Sequence, residues 1–184
     1  GDLAGVHWVG AKMVGGRIDV PGNAGRHVGS EMTGGEIHVA GNAGDWGGGE
    51  LHGGLIHARG AAGHLVGAAH RGSPRGMTGG TILIGGKAGN EVGHTMRRGL
   101  IAVGGAAGDL VAFNMLAGTV LVFGPAGIRP GAEMRRGTIG LFGEDPPKLL
   151  PSYRYGCRFQ PPMLRLLYRE LKRLDFPVDE AFGE

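Results

Sequence analysis

The chain has 184 residues, of which 41 are glycine and 41% are apolar, with a formal net charge of +3. The glycine share is about three times the usual one, but regularly spaced Ile, Val, Leu, Ala and Met supply apolar surface enough for one ordered domain. Glycine without every-third spacing excludes collagen, the single Cys157 excludes a disulfide framework and a cysteine-cluster metal site, and no apolar run approaches the roughly 18 residues of a membrane helix.

Aromatic residues make up 6% of the chain, too few for the basic-aromatic interleaving that binds single-stranded nucleic acid. No signal peptide is visible and the cysteine usage fits a reducing compartment, so a cytoplasmic protein is expected. The chain opens at Gly1 without Met, which points to processing or to a longer parent.

From Met13 onward the sequence repeats. Units begin at Met13, Met32, Leu51, Met77, Met96, Met115 and Met134, at spacings of 19, 19, 26, 19, 19 and 19 residues. Three steps into each unit stands a glycine (Gly16, Gly35, Gly54, Gly80, Gly99, Gly118, Gly137). Five steps in is a β-branched residue, from Ile18 to Ile139, and seven steps in another apolar one, from Val20 to Leu141. Gly22, Gly41, Gly60, Gly86, Gly105, Gly124 and Gly143 follow at step nine, and an Ala-Gly pair then recurs, as in Ala43-Gly44.

Apolar residues at steps five and seven share one face of a strand, because side chains alternate with period two. Glycines at three, nine and twelve place turns around short strands and are too frequent for a helix. One unit cannot bury its inner face alone, so the units stack about 4.8 Å apart. The prediction is an all-β, single-stranded parallel β-helix over residues 1–144, right-handed, with about seven 19-residue coils. The Met and Leu starts line its core; read as a metal site, they would be a poor ladder, since Leu51 interrupts the sulfurs.

Asp19, His38 and His57 occupy step six of the first three coils and point outward, one coil apart. A carboxylate beside two imidazoles is a metal-ligand or proton-transfer pattern, but a solvated polar ladder or a partner contact is the commoner use, and no metal site is assigned. Later coils place Leu83, Leu100, Leu121, Phe123 and Phe142 at outward steps. Such an apolar outer face needs a cover, either the C-terminal segment or another subunit, and these residues are expected to form an interface.

The seven extra residues fall in "AAHRGSPRG", 68–76, and insertions in solenoids sit on loops at one face. His70, Arg71 and Arg75 make this loop basic and join the expected interface. Arg97-Arg98 and Arg135-Arg136 all stand at steps one and two. They form a stripe with reach to carboxylates or phosphates, or else ordinary solubilising charge.

After Gly143 the pattern stops, and residues 145–184 read as a proline-punctuated connector followed by an amphipathic helix over 163–174. Leu164, Leu167, Tyr168, Leu171 and Leu174 share its apolar face, suited to capping the open end of the stack or covering its flank. Acidic Glu170 and Asp175 argue against a membrane role. Cys157 has no histidine near it in sequence to act as base, and no phosphate-loop, zinc-protease or nucleophile-elbow motif is present. No catalytic residue is assigned.

"MTGGEIHVAGNAGDWGG" and "MTGGTILIGGKAGNEVG" resemble the glycine-patterned β-helix shared by two families. One is the C-terminal domain of the glutamate synthase large subunit. The other is the C-type subunit of formylmethanofuran dehydrogenase, with its bacterial counterpart in the formyltransferase/hydrolase complex. "LPSYRYGCRFQPPMLRLLYRELKRLDFPV" is similar to the end of the second family, where an aromatic-rich strand runs into a leucine-rich helix. That family has further sequence before the repeats, whereas this chain opens mid-coil at "AGVHWVG".

The resemblance implies a non-catalytic structural subunit of a hetero-oligomeric complex in formyl-group, one-carbon metabolism, with no cofactor of its own. It implies partner subunits that hold the catalytic sites and their metal ions, and a methanofuran-type cofactor. That cofactor's bacterial analogue has a glutamate-rich polyanionic tail, which Arg97, Arg98, Arg135 and Arg136 would contact. No nucleic acid or membrane partner is implied. A glutamate synthase-like linker coupling catalytic domains, and a free-standing ligand-binding or enzymatic β-helix, are the alternatives.

Overall fold

The computed structural model describes residues 1–179 and 182. They fall into two compact units, Gly1–Leu149 and Leu150–Glu184. The first holds seven four-residue strands: β1 (Arg17–Val20), β2 (Glu36–Val39), β3 (Leu55–Ala58), β4 (Thr81–Ile84), β5 (Leu100–Val103), β6 (Thr119–Val122) and β7 (Thr138–Leu141). They pair in parallel, in chain order, as one sheet. The register is that of the repeat: Ile18 lies beside Ile37, Ile37 beside Ile56, and so on to Val120 beside Ile139. A second column of bridges runs through Ala24, Ala43 and Ala62, and through Ala88, Ala107 and Ala126. The result is the expected β-solenoid of seven turns.

Its core consists of columns that run from coil to coil, the valine column being interrupted at Gly47. Ile37, Ile56, Ile82, Ile101 and Val120 form one, Met32, Leu51, Met77, Met96 and Met115 another, and Val28, Val66, Val92 and Val111 a third, all at most 1% exposed. Each buried side chain of this size contributes about 1.5–3 kcal/mol. The end coils are less protected, and Met13, Ile18, Met134 and Ile139 are only partly buried.

Two kinds of glycine hold the turns. Those at step three, such as Gly80 and Gly99, have φ of 86° and 104°, where a side chain is strained. Those at steps nine and twelve lack positive φ. There the requirement is close approach: the Gly60 N–H donates to the Gly41 carbonyl at 2.9 Å and the Gly105 N–H to that of Gly86 at 2.9 Å. A Cβ at Gly105 would lie 2.9–3.0 Å from the Gly86 and Lys87 backbone.

Another corner uses no glycine. Trp8, His27, Trp46, Leu65, Glu91, Leu110 and Arg129 recur with φ between 55° and 63°. The N–H groups of the first six donate to the next coil, as His27 does to the Asp45 carbonyl at 2.9 Å and Leu110 to that of Ile128 at 3.0 Å. These bonds offset a backbone strain of about 1 kcal/mol or more per residue. Side chains continue the ladder. Asp45 Oδ1 accepts the His64 N–H at 2.9 Å, His64 Nδ1 that of Asn90 at 2.9 Å, Asn90 Oδ1 that of Asp109 at 3.0 Å and Asp109 Oδ1 that of Ile128 at 2.9 Å.

The second unit contains α1 (Pro162–Arg173), one residue earlier at each end than the spacing predicts. Proline at its first position accounts for the earlier start, since its fixed φ suits a helix start and no N–H is lost. Leu164, Leu167, Tyr168 and Leu174 are half-buried and Leu171 is buried, while Leu166, off that face, is exposed. Residues 151–160 are exposed throughout. Among the described residues no helix is long and apolar enough to cross a membrane.

Candidate functional site

The paired arginines converge. Arg97, Arg98, Arg135 and Arg136, with Thr78, Leu116 and Ala117, line one groove of about 610 Å³ in the β-helical unit. The arginines, Leu116 and Ala117 come from steps one and two of three consecutive coils and Thr78 from step one of the coil before, where a backbone ladder fixes their roots. The Arg97, Leu116 and Arg135 N–H groups donate to the Met77, Met96 and Met115 carbonyls at 2.8, 2.8 and 2.9 Å. Leu116 and Ala117 occupy the middle coil at the same steps as the arginine pairs. They are legible at that spacing, but a search for charge passes over them.

The groove is electrostatically one-sided. No acidic residue lines it, and no ion pair to these four arginines occurs among the described residues. Arg98, Arg135 and Arg136 are exposed and Arg97 is half-buried. Arg97 Nε is enclosed without a hydrogen-bond partner, which leaves a cationic donor desolvated and unsatisfied. An anion with paired oxygens suits such a site, because the guanidinium fork matches carboxylate and phosphate.

The outward column behaves differently. Arg17 Nη2 and Nε donate to the Asp19 carboxylate at 2.8–3.1 Å, and this bond holds the Asp19 carboxyl below the usual carboxylate range. His38 Nε2 lies 3.1 Å from Glu36 Oε2, and the His38 and His57 ring centroids are 6.1 Å apart. Neighbours along the strand engage Asp19 and His38, and among the described residues no group of three His, Cys, Asp or Glu is placed to hold a metal. Exposure falls along this column: Asp19 is exposed, His38 half-buried and His57 buried.

The expected interface is altered by burial. Leu83, Leu100 and Leu121 are 0%, 8% and 1% exposed in the chain alone, so they do not form an open apolar face. Phe123 is half-buried and stacks on Phe142 with centroids 5.2 Å apart, and Phe142 remains exposed. Arg71 and Arg75 are exposed, but His70 turns back onto the coils. Its N–H donates to Glu50 Oε1 at 3.0 Å and its ring lies 5.3 Å from that of His27. His27 stacks between Trp8, at 3.9 Å, and Trp46, at 5.3 Å. Burial, then the nearby His70, His7 and Arg26, push the His27 imidazole below its ordinary value. This aromatic stack has no signal in composition or motif; it exists because positions 8, 27 and 46 are 19 residues apart. Cys157 is a free, exposed thiol.

No protein-family model matches the chain, and no curated protein does. Among solved structures it is similar to a chain of the formyltransferase/hydrolase complex (FhcABCD) from Methylorubrum extorquens in complex with methylofuran. The TM-score is 0.87 and the identity 37%, over 96% of this chain and 65% of that one. The chain thus spans just under two-thirds of its neighbour's length.

Proposed function

We infer that this chain is the β-helical, C-type subunit of a formyltransferase/hydrolase complex, and that it serves formyl-group metabolism by structure rather than by catalysis. The carrying observation is the likeness at 37% identity and TM-score 0.87 across 96% of the chain, which extends beyond the repeats into the tail. In this reading formyl transfer and hydrolysis, with their metal ions, belong to partner subunits in a cytoplasmic assembly. The chain itself supplies a rigid ladder of coils whose exposed groups, among them Phe142, Arg71 and Arg75, meet those partners. The arginine groove is where the anionic tail of a methanofuran-type cofactor lies against this subunit, which the missing acidic lining favours.

Co-expression with the formyltransferase and amidohydrolase-type subunits of its source, followed by native mass spectrometry, tests the reading. One hetero-oligomer containing this chain is expected. A chain that stays apart while the other subunits assemble would overturn it.

A further inference from the structure

We propose that His27 and His70 form an acid-sensitive latch, which holds the 68–76 loop against the first coils at neutral pH and releases it on acidification. The start of this inserted loop has three attachments to the coils. Trp46 Nε1–H donates to the Ala69 carbonyl at 3.3 Å, and the His70 N–H donates to Glu50 Oε1 at 3.0 Å. The third is the His70 ring, whose centroid is 5.3 Å from that of His27 and 5.8 Å from that of Trp8. Further along, the Ser73 N–H donates to the His70 carbonyl at 3.0 Å, a bond within the loop. Arg71, Gly72, Pro74 and Arg75 are exposed.

The ring contact is poorly suited to positive charge. His27 Nδ1 and His70 Nε2 are both enclosed and neither has a hydrogen-bond partner, so no bond joins the two rings. A proton taken up at either nitrogen leaves a charged N–H without an acceptor. His7, Arg26 and Asp45 face His27, and Glu50 faces His70. Both carboxylates are already engaged: Asp45 Oδ2 lies 3.4 Å from Arg26 Nε, Asp45 Oδ1 accepts the His64 N–H, and Glu50 accepts the His70 N–H. The depressed pKa of His27 agrees with this excess of positive neighbours. Imidazole changes charge between about pH 5 and 8, so the contact weakens within that interval. Two imidazolium rings at this distance repel, and the one on the exposed loop is the one that can move. Arg71 and Arg75 add to the charge on that side.

Hydrogen exchange of the full chain, read by mass spectrometry at about pH 7.5 and about pH 5.5 and corrected for intrinsic rates, measures the loop directly. The amides of residues 70–73 should lose protection at least about tenfold at the lower pH, while those of β4 to β6 keep theirs. The chain's two tryptophans both flank His27. Their fluorescence should therefore titrate with the same midpoint, below about pH 6.5. His70→Phe keeps a ring against the stack but cannot ionise, and its loop should stay protected at both pH values. Gly49→Ala acts by size alone, because a Cβ there would lie 2.8 Å from His70 Cε1 and 3.2 Å from Ser30 Oγ. It should expose the loop at either pH.

Loop protection that does not change with pH overturns the proposal. The same loss in His70→Phe overturns it in favour of another titrating group, of which Glu50 is the first candidate. Equal loss in every strand overturns it in favour of global acid unfolding. A fluorescence midpoint above about pH 6.5 overturns it in favour of an imidazolium held between two indole faces. A protected loop in Gly49→Ala removes the His70 ring as the fastening.

Discussion

A methyl group added at Gly99 has nowhere to go. It would lie 2.5 Å from Met77 Cε and 2.7 Å from the Gly80 carbonyl oxygen, on a backbone with φ of 104°. Met77 is itself fully buried, so its methyl cannot swing aside without disturbing the neighbouring column. Gly99→Ala should cost about 2 kcal/mol or more, from strain and overpacking together. Gly15 is the control: nothing lies within 4 Å of its would-be Cβ and its φ is not positive. Gly15→Ala should be neutral or stabilising by about 0.4–1 kcal/mol through the unfolded chain. Denaturant melts of both variants check the contrast. The step-three glycines are legible as turn residues; the methionine resting on Gly35, Gly54, Gly99, Gly118 and Gly137 is not, because it belongs to the preceding coil.

At the scale of an element, the Trp8–His27–Trp46 stack joins three coils through one imidazole. Its pKa lies below the ordinary value near 6.5 in the folded chain, so the unfolded chain binds the proton more readily. Stability from this group is complete above about pH 6.5 and falls as pH drops through that value toward the folded one. Asp45 opposes the shift, while His70, His7 and Arg26 reinforce it. The melting temperature should therefore drop between about pH 7.5 and about pH 5.5. His27→Asn, which tolerates the left-handed backbone at φ of 62°, should lose part of that dependence. An unchanged slope would remove His27 as its source. The non-glycine corner that carries this stack escapes sequence reading, since Trp, His and Leu at positive φ are uncommon and reveal themselves only once hydrogen bonds to the next coil are seen.

For the whole β-helical unit, each coil bonds only to its neighbours, and this modularity has a measurable consequence. Removing residues 96–114, one complete 19-residue period, should leave a shorter stack that still melts cooperatively, because every inward residue keeps its column. Removing 18 residues instead shifts the following strand by one and turns its buried face outward, so that variant should aggregate or lose its cooperative melt. Circular dichroism and thermal melts distinguish the two. Aggregation of both deletions would show that the intact stack, rather than pairwise coil contacts, is the folding unit.

The period, the strand positions, the inward columns and the tail helix are all legible in the order of residues, because each follows from side-chain alternation or turn chemistry within 19 residues. Steps one and two of the repeat also place all four arginines on one stripe. What such stripes become depends on how the coils pack. Stacking carves a groove where Leu116 and Ala117 are short and buries Leu83, Leu100 and Leu121 on a face that alternation marks as outward. It also seats His70 against His27 rather than in solvent. Periodicity specifies direction from the strand, whereas exposure depends on what else the chain brings there, and that is a property of three-dimensional packing.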